Sequence, residues 1–166
     1  MRSLVTGGAG FIGSHLVDQL ILSGHETVVV DNLSTGRLEN LSKWTDSKQL
    51  TIYRDDVCNH EGMTQYLDGI DWVFHLAALA DIVPSGEEPL KYLKAGLDGT
   101  ISVLEAARLA GVKKLIYSAS SSCYGIPDNF PTPEIAAIRP QYPYALAKYL
   151  GEQCVDHWNM LYGLET

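Results

Sequence analysis

Thr6-Gly7-Gly8-Ala9-Gly10-Phe11-Ile12-Gly13 is the stretch around which the rest of the chain is arranged. The apolar Leu4-Val5 leads into it and a helix-patterned run, His15 to Leu22, follows, so it reads as strand, glycine turn and helix in succession. Glycine lets the backbone turn sharply and approach a pyrophosphate, and the unpaired amides at the start of a helix face the anion. Two registers fit: Gly7, Gly10 and Gly13 spell G-x-x-G-x-x-G, while Gly8, Gly10 and Gly13 spell G-x-G-x-x-G. A turn that merely packs helix on strand would use the same glycines, so the flanking sequence has to decide.

Outward from the turn, Ile12, Leu16 and Leu20 with Val17 form a buried helical stripe that Gly24 closes. Thr27 to Val30 is β-branched, reads as a strand buried on both faces, and ends at Asp31. Asp31 follows Gly13 at close to the ~20-residue spacing at which an acid accepts the adenosine ribose hydroxyls. A carboxylate there favours NAD, since a 2′-phosphate would meet like charge, although Arg37 in the next loop keeps NADP open. Leu50 to Tyr53 is a third strand, followed by Asp55-Asp56-Val57, whose acids either accept from an adenine amino group or cap the helix beginning near His60. Trp72 to Leu76 is a fourth strand and runs into the small residues Ala77, Ala78 and Ala80, which allow something flat to approach the backbone. His75, inside that strand pattern, reads as a hydrogen-bonded core histidine.

A helix over Pro89 to Ala110, ended by Gly111, contains Gly96 and Gly99, each costing about 1 kcal/mol relative to alanine; close helix–sheet packing accounts for them. Lys114 to Tyr117 is the fifth strand and leads into Ser118-Ala119-Ser120-Ser121-Ser122. Pro127, Pro131, Pro133, Pro140 and Pro143 make residues 126–143 an ordered or lid-like loop. The last helix starts at Pro143 and reaches about Tyr162. This alternation predicts an α/β fold, a doubly wound parallel sheet of the Rossmann type.

At 166 residues the chain is one domain with room for a core, and 46% hydrophobic residues against 19% charged exclude disorder. A net charge of -8 argues against nucleic acid or an anionic membrane as partner. Cys58, Cys123 and Cys154 form no paired motif and no zinc set, which suits a reducing, cytoplasmic setting and predicts no metal. No apolar run is long enough to span a membrane, and His15 and Asp18 interrupt any signal-peptide core.

Tyr144 and Lys148 stand at i and i+4, on one face of the last helix. A nearby ammonium stabilises phenolate and makes tyrosine a usable base. Ser120 is placed after the fifth strand to hydrogen-bond the same substrate hydroxyl. Serine, tyrosine and lysine beside a nicotinamide are suited to oxidising a secondary alcohol.

With these residues in register, the chain resembles the extended short-chain dehydrogenase/reductase family, and within it the nucleotide-sugar 4-epimerases. The resemblance covers essentially all residues and rests on Thr6 to Leu16, Asp31 to Gly36, Asp56-Val57, His75 to Ala78, Ser120 to Gly125 and Tyr144 to Lys148. It implies that Gly7, Gly10, Phe11, Ile12 and Gly13 hold the NAD pyrophosphate. Asp31, Asn32, Leu33, Ser34, Thr35 and Gly36 would surround the adenosine ribose, Asp56 and Val57 the adenine, and Leu76, Ala77, Ala78 and Ala80 the middle of the cofactor. Tyr144 would be the base, Lys148 its electrostatic partner and ribose anchor, and Ser120, with Ser121, Ser122 and Tyr144, would meet the sugar. The implied reaction is epimerisation at C4 of a UDP-sugar through a transient 4-keto intermediate, in a homodimer paired through helices of the kind at 90–110 and 143–162.

Three departures accompany the resemblance. Gly96 stands where the family's N-V-x-G-T motif has asparagine, which removes an internal polar contact. Ser121-Ser122 follows Ser120 where the sugar 4,6-dehydratases carry Asp-Glu. Family members run to roughly twice this length, so residues 1–166 are expected to be the NAD-binding domain without the substrate lobe, inactive alone and with the fifth strand left as a bare edge. A reductase or dehydratase of the same family, or a non-catalytic NAD-binding module, are the alternatives.

Overall fold

The computed structural model describes residues 1–166, and its centre is one parallel sheet. The strands are β1 (Arg2–Thr6), β2 (Glu26–Val30), β3 (Leu50–Tyr53), β4 (Trp72–His75) and β5 (Lys114–Tyr117), in the spatial order β3-β2-β1-β4-β5. Side chains alternate between the two faces. The aligned row Val28, Leu4, Val73 and Leu115 joins one core layer. The neighbouring residues Val5 and Val29, with Ile52 and Phe74, join the other. Each such burial contributes roughly 1.5–3 kcal/mol, and a slip of one residue would exchange the faces, so the apolar pattern itself fixes the register.

The first layer packs against α2 (His60–Tyr66), α5 (Gly99–Leu109) and α6 (Pro143–Tyr162), through Met63, Val103, Leu104 and Val155. The second packs against α1 (Phe11–Leu22) and a 3₁₀ turn, Leu38–Trp44, through Val17, Leu20, Ile21 and Leu41. From β1 the chain steps outward to β2 and β3, then returns to place β4 on the other side of β1. The carboxyl ends of β1 and β4 therefore mark a topological switch point, where an open α/β sheet leaves a crevice.

Several elements depart from the sequence reading. The long helix after Pro89 comes in three pieces: α4 (Pro89–Leu93), a π turn (Lys94–Asp98) and α5. A further short helix, α3 (Ile82–Glu87), precedes it despite Pro84 and Gly86. Gly96 and Gly99 do not serve helix–sheet packing. A Cβ at Gly96 would lie 2.8 Å from Ala147 Cβ of α6, and one at Gly99 would lie 2.8 Å from Val57 Cγ2, so both permit helix-to-neighbour contact instead. Residues 126–142 are a loop, as the prolines predict, tied back by Arg139 N–H donating to the Cys123 carbonyl at 2.9 Å.

β5 is not a bare edge. Gly163 (φ +69°) ends α6 in the left-handed conformation and turns the chain back toward the sheet. Leu164 is buried in the core, held by Asn159 Nδ2 donating to its carbonyl at 2.8 Å. The Glu165 carbonyl then accepts the Leu115 N–H at 2.8 Å. No helix is long and apolar enough to cross a membrane.

Candidate functional site

The carboxyl ends of all five strands open into one cleft of about 310 Å³. Its wall takes Gly7, Gly10, Phe11, Ile12 and Gly13 after β1, and Val30, Asp31, Asn32, Ser34 and Thr35 at the end of β2 and beyond it. Asp55, Asp56 and Val57 follow β3, Leu76 to Ala80 follow β4, and Ser118 follows β5. Ala95 of the π turn completes it. π turns recur where a helix must widen beside a functional site.

The glycine turn separates packing from space. Gly7 has φ +69°, and a Cβ there would come within 2.8 Å of Ala77 N; a Cβ at Gly13 would overlap the Gly7 carbonyl. Gly8 sits against Val29, away from the cleft, so Gly7, Gly10 and Gly13 are the register that faces it. A Cβ at Gly10 would meet only the Gly7 carbonyl, at 3.2 Å, so the room it leaves is cleft volume. No side chain caps α1, so its first amides have no intrahelical acceptor. The cradle fits an anionic diphosphate.

Asp31 is buried, and both its oxygens are used: Oδ2 accepts the Ala9 N–H at 2.9 Å and Oδ1 the Leu33 N–H at 2.8 Å. It thus clamps the glycine turn to the loop after β2 and lines the cleft, with acceptor capacity left over for a further donor. Leu33 (φ +60°) packs toward the core, and Gly36 lies where a Cβ would be 2.8 Å from Asp31 Oδ2. Neither lines the cleft, and neither does Arg37, whose N–H donates to the Ala9 carbonyl at 3.0 Å.

The two acids after β3 divide the alternatives. Asp55 accepts from Asn59 Nδ2 at 2.8 Å and Tyr66 Oη at 2.9 Å, holding α2, whose cap is Asn59. Asp56 accepts from Cys58 N–H and Asn32 Nδ2, each at 2.9 Å. Burial works against its charge, but these donors outweigh burial and hold the carboxyl below its usual range. The Cys58 thiol beside it is pushed up to about 12 by burial and by Asp56, so it is no nucleophile.

At the other end of the cleft lies a buried polar chain. Leu76 and Ala77 N–H both donate to Thr6 Oγ1 at 3.2 Å, leaving the Thr6 hydroxyl to donate to His75 Nδ1 at 2.7 Å. Thr100 donates to the Gly96 carbonyl at 2.6 Å and so accepts from His75 Nε2 at 3.0 Å. This network assigns the neutral Nε2–H tautomer. Burial, with the charge of Lys148 adding to it, pulls His75 down to about 3. The structural role expected of His75 is the one seen.

Lys148 is 5% exposed, and burial pulls its ammonium down to about 8. Its Nζ lies 4.4 Å over the ring centroid of Tyr117, the last residue of β5 and the neighbour of Ser118. Tyr144 is one turn earlier on α6, its ring stacked with Tyr142 at 6.4 Å. Ser120 caps the 3₁₀ turn Ser121–Tyr124, bonding Ser122 Oγ at 2.8 Å and accepting Ser122 N–H at 3.2 Å. Ser120, Ser121, Ser122, Tyr144 and Lys148 all lie outside the cleft wall. Ser118, Ala95 and Val30 line it without having been assigned to it; Asp55, one of the two acids offered for the adenine, lines it as well, as does Leu79 between Ala78 and Ala80. Only Ser118 carried a signal, its place directly after a strand; Ala95 carried none.

Residues 3–166 match the NAD dependent epimerase/dehydratase family. The UDP-glucose 4-epimerase of Mycolicibacterium smegmatis is 40% identical over 168 aligned residues, covering 99% of this chain and 53% of that protein. The structure of UDP-glucose 4-epimerase from Thermotoga maritima with UDP-glucose superposes with a TM-score of 0.91 at 41% identity, over 99% of this chain and 53% of that one. The dTDP-glucose 4,6-dehydratase DesIV of Streptomyces venezuelae, with NAD bound, gives 0.94 at 30% identity, again over 99% and 53%. The chain spans about half the length of the relatives it matches.

Proposed function

Because the chain belongs to the NAD dependent epimerase/dehydratase family, we propose that it is the cofactor-binding domain of a nucleotide-sugar 4-epimerase acting on a UDP-sugar. The observation that carries this reading is the cleft at the switch point, with an uncapped helix over a glycine turn at one end and Ser118, next to Tyr117 and Lys148, at the other.

In this reading the amides of Phe11, Ile12 and Gly13 bind the NAD pyrophosphate. Asp31 accepts from the adenosine ribose, with Asn32, Ser34 and Thr35 around it, and Asp56 and Val57 meet the adenine. Ala77, Ala78 and Ala80 keep the centre of the cleft narrow and apolar. Bound NAD supplies a reversible hydride acceptor for sugar C4. Tyr144 removes the proton of the C4 hydroxyl, and the Lys148 cation stabilises the phenolate this needs. Ser120 holds the same hydroxyl, and the proton returns from Tyr144 once the 4-keto sugar has presented its other face. The sugar-binding lobe is supplied by a longer parent protein, and residues 1–166 alone bind NAD without turnover. Free thiols at Cys58, Cys123 and Cys154 suit a cytoplasmic setting. Pairing of two copies would cover the exposed Leu90, Leu109, Met160 and Leu161.

The test is incubation of the parent protein with UDP-glucose, UDP-N-acetylglucosamine and their uronic acids, followed by NMR. A C4 epimer formed without net NADH supports the reading; no epimer with any of them sinks it. The similarity to the dehydratase DesIV keeps a second reading, which a 4-keto-6-deoxy product would select. Ser121 and Ser122 supply no general acid for that elimination.

A further inference from the structure

Lys148 is largely buried as a residue, yet its ammonium pairs with no carboxylate and donates no hydrogen bond to the protein. A charge with so little exposure gains from a partner, because burial without one is costly. What faces it is the ring of Tyr117, 4.4 Å away. Burial raises the Tyr117 phenol above its ordinary range, so the ring is neutral and attracts the cation through its π face.

Two further contacts hold that ring in place. Tyr117 Oη donates to the backbone carbonyl of Lys148 at 3.2 Å, tying the strand residue to the helix residue it carries. Gly151, one turn on, leaves the room, since a Cβ there would lie 2.5 Å from Tyr117 Oη. Beyond Tyr117 stands the buried, neutral His75 ring, 5.7 Å away.

We propose that Tyr117 is a positioning residue, whose ring face seats the Lys148 ammonium beside the carboxyl end of β5. Its catalytic meaning rests on the epimerase reading, in which Lys148 works beside Tyr144. The titratable groups around the pair are His75 from β4 and Tyr144, Glu152 and Cys154 from α6; the π turn and α5 contribute the uncharged Gly96 and Thr100. None of them sets the acidity of Lys148, which burial alone lowers.

The test titrates Lys148 directly, by NMR of the 166-residue chain carrying ¹³Cε-lysine, its signal assigned by its absence in Lys148→Arg. Tyr117→Phe keeps the ring face and is expected to titrate with the wild type. Tyr117→Met keeps the volume but loses the face, and Lys148 is expected to titrate lower by about one pKa unit, a tenfold weaker hold on the proton. An unchanged or raised value in Tyr117→Met, or a shift in Tyr117→Phe as large, overturns the proposal. Should Tyr117→Met fail to fold, Gly151→Ala displaces the same ring without removing it and must lower Lys148 in the same direction; no change there overturns the proposal equally. A parent protein that forms no epimer while these titrations behave as expected condemns the activity reading and leaves the seat standing.

Discussion

His75 can occupy its site only without charge, and burial holds it near pKa 3 against the ordinary imidazole value of 6.5. Between those values the unfolded chain binds a proton that the folded chain refuses. Stability is therefore full above about pH 6.5 and is lost as pH falls toward 3, by on the order of 5 kcal/mol in total. His75→Gln keeps a donor for Thr100 and carries no titrating group, so its urea-unfolding free energy should be lower at pH 7 yet flatter between pH 6.5 and 4.5. A slope parallel to the wild type would contradict the assignment. Carboxylates such as Glu105, held low by Arg108, act only below that window. Asp31 carries a second prediction. Asp31→Asn turns an N–H₂ toward one of the two amides the carboxylate accepts, which should cost about 1–3 kcal/mol of stability and weaken NAD binding at least tenfold by calorimetry. Unchanged NAD affinity would remove Asp31 from the ribose site. Its spacing from Gly13 was readable in the sequence; its clamp on Ala9 was not, because that amide lies across two elements.

At the scale of elements, Gly151 reverses an ordinary rule. Alanine in place of glycine inside a helix normally stabilises by about 1 kcal/mol. In α6 the new methyl would meet Tyr117 Oη, so Gly151→Ala should destabilise by about 1–2 kcal/mol, as overpacking does. In a Tyr117→Phe background the same change should become neutral or stabilising in thermal unfolding; the same penalty in both backgrounds would show that the hydroxyl is not the obstacle. Strand and helix spans were legible wherever periodicity was strong, as in α1, β2 and α6. The break of the 89–109 run into a π turn was not, since Lys94 to Asp98 has the composition of an ordinary helix and widens only beside the cleft and Ala147. Pro84 and Gly86 argued against α3, and tertiary contacts with α4 and α6 override them.

Across the whole molecule, the tail after α6 belongs to the core. Leu164→Ala should cost about 2–3 kcal/mol in unfolding free energy, a loss that an uncovered β5 edge would not produce. The sheet order was legible because strand–helix alternation admits few topologies. The cleft was legible where motifs sit directly after strands, at Gly7 to Gly13, Asp31 to Thr35 and Leu76 to Ala80. Choosing Ser118 over Ser120 as the cleft serine would have required knowing which of two nearby hydroxyls the 3₁₀ turn claims for itself. Finally, the chain of hydrogen bonds from Thr6 through His75 to Thr100 joins β1, β4 and α5, and its one imidazole proton is sealed between threonines. That proton exchanges with solvent only when the glycine turn and the helix behind it come apart. A single ¹⁵N-labelled ring is thus a built-in spectroscopic reporter, able to time the opening of the cofactor cleft.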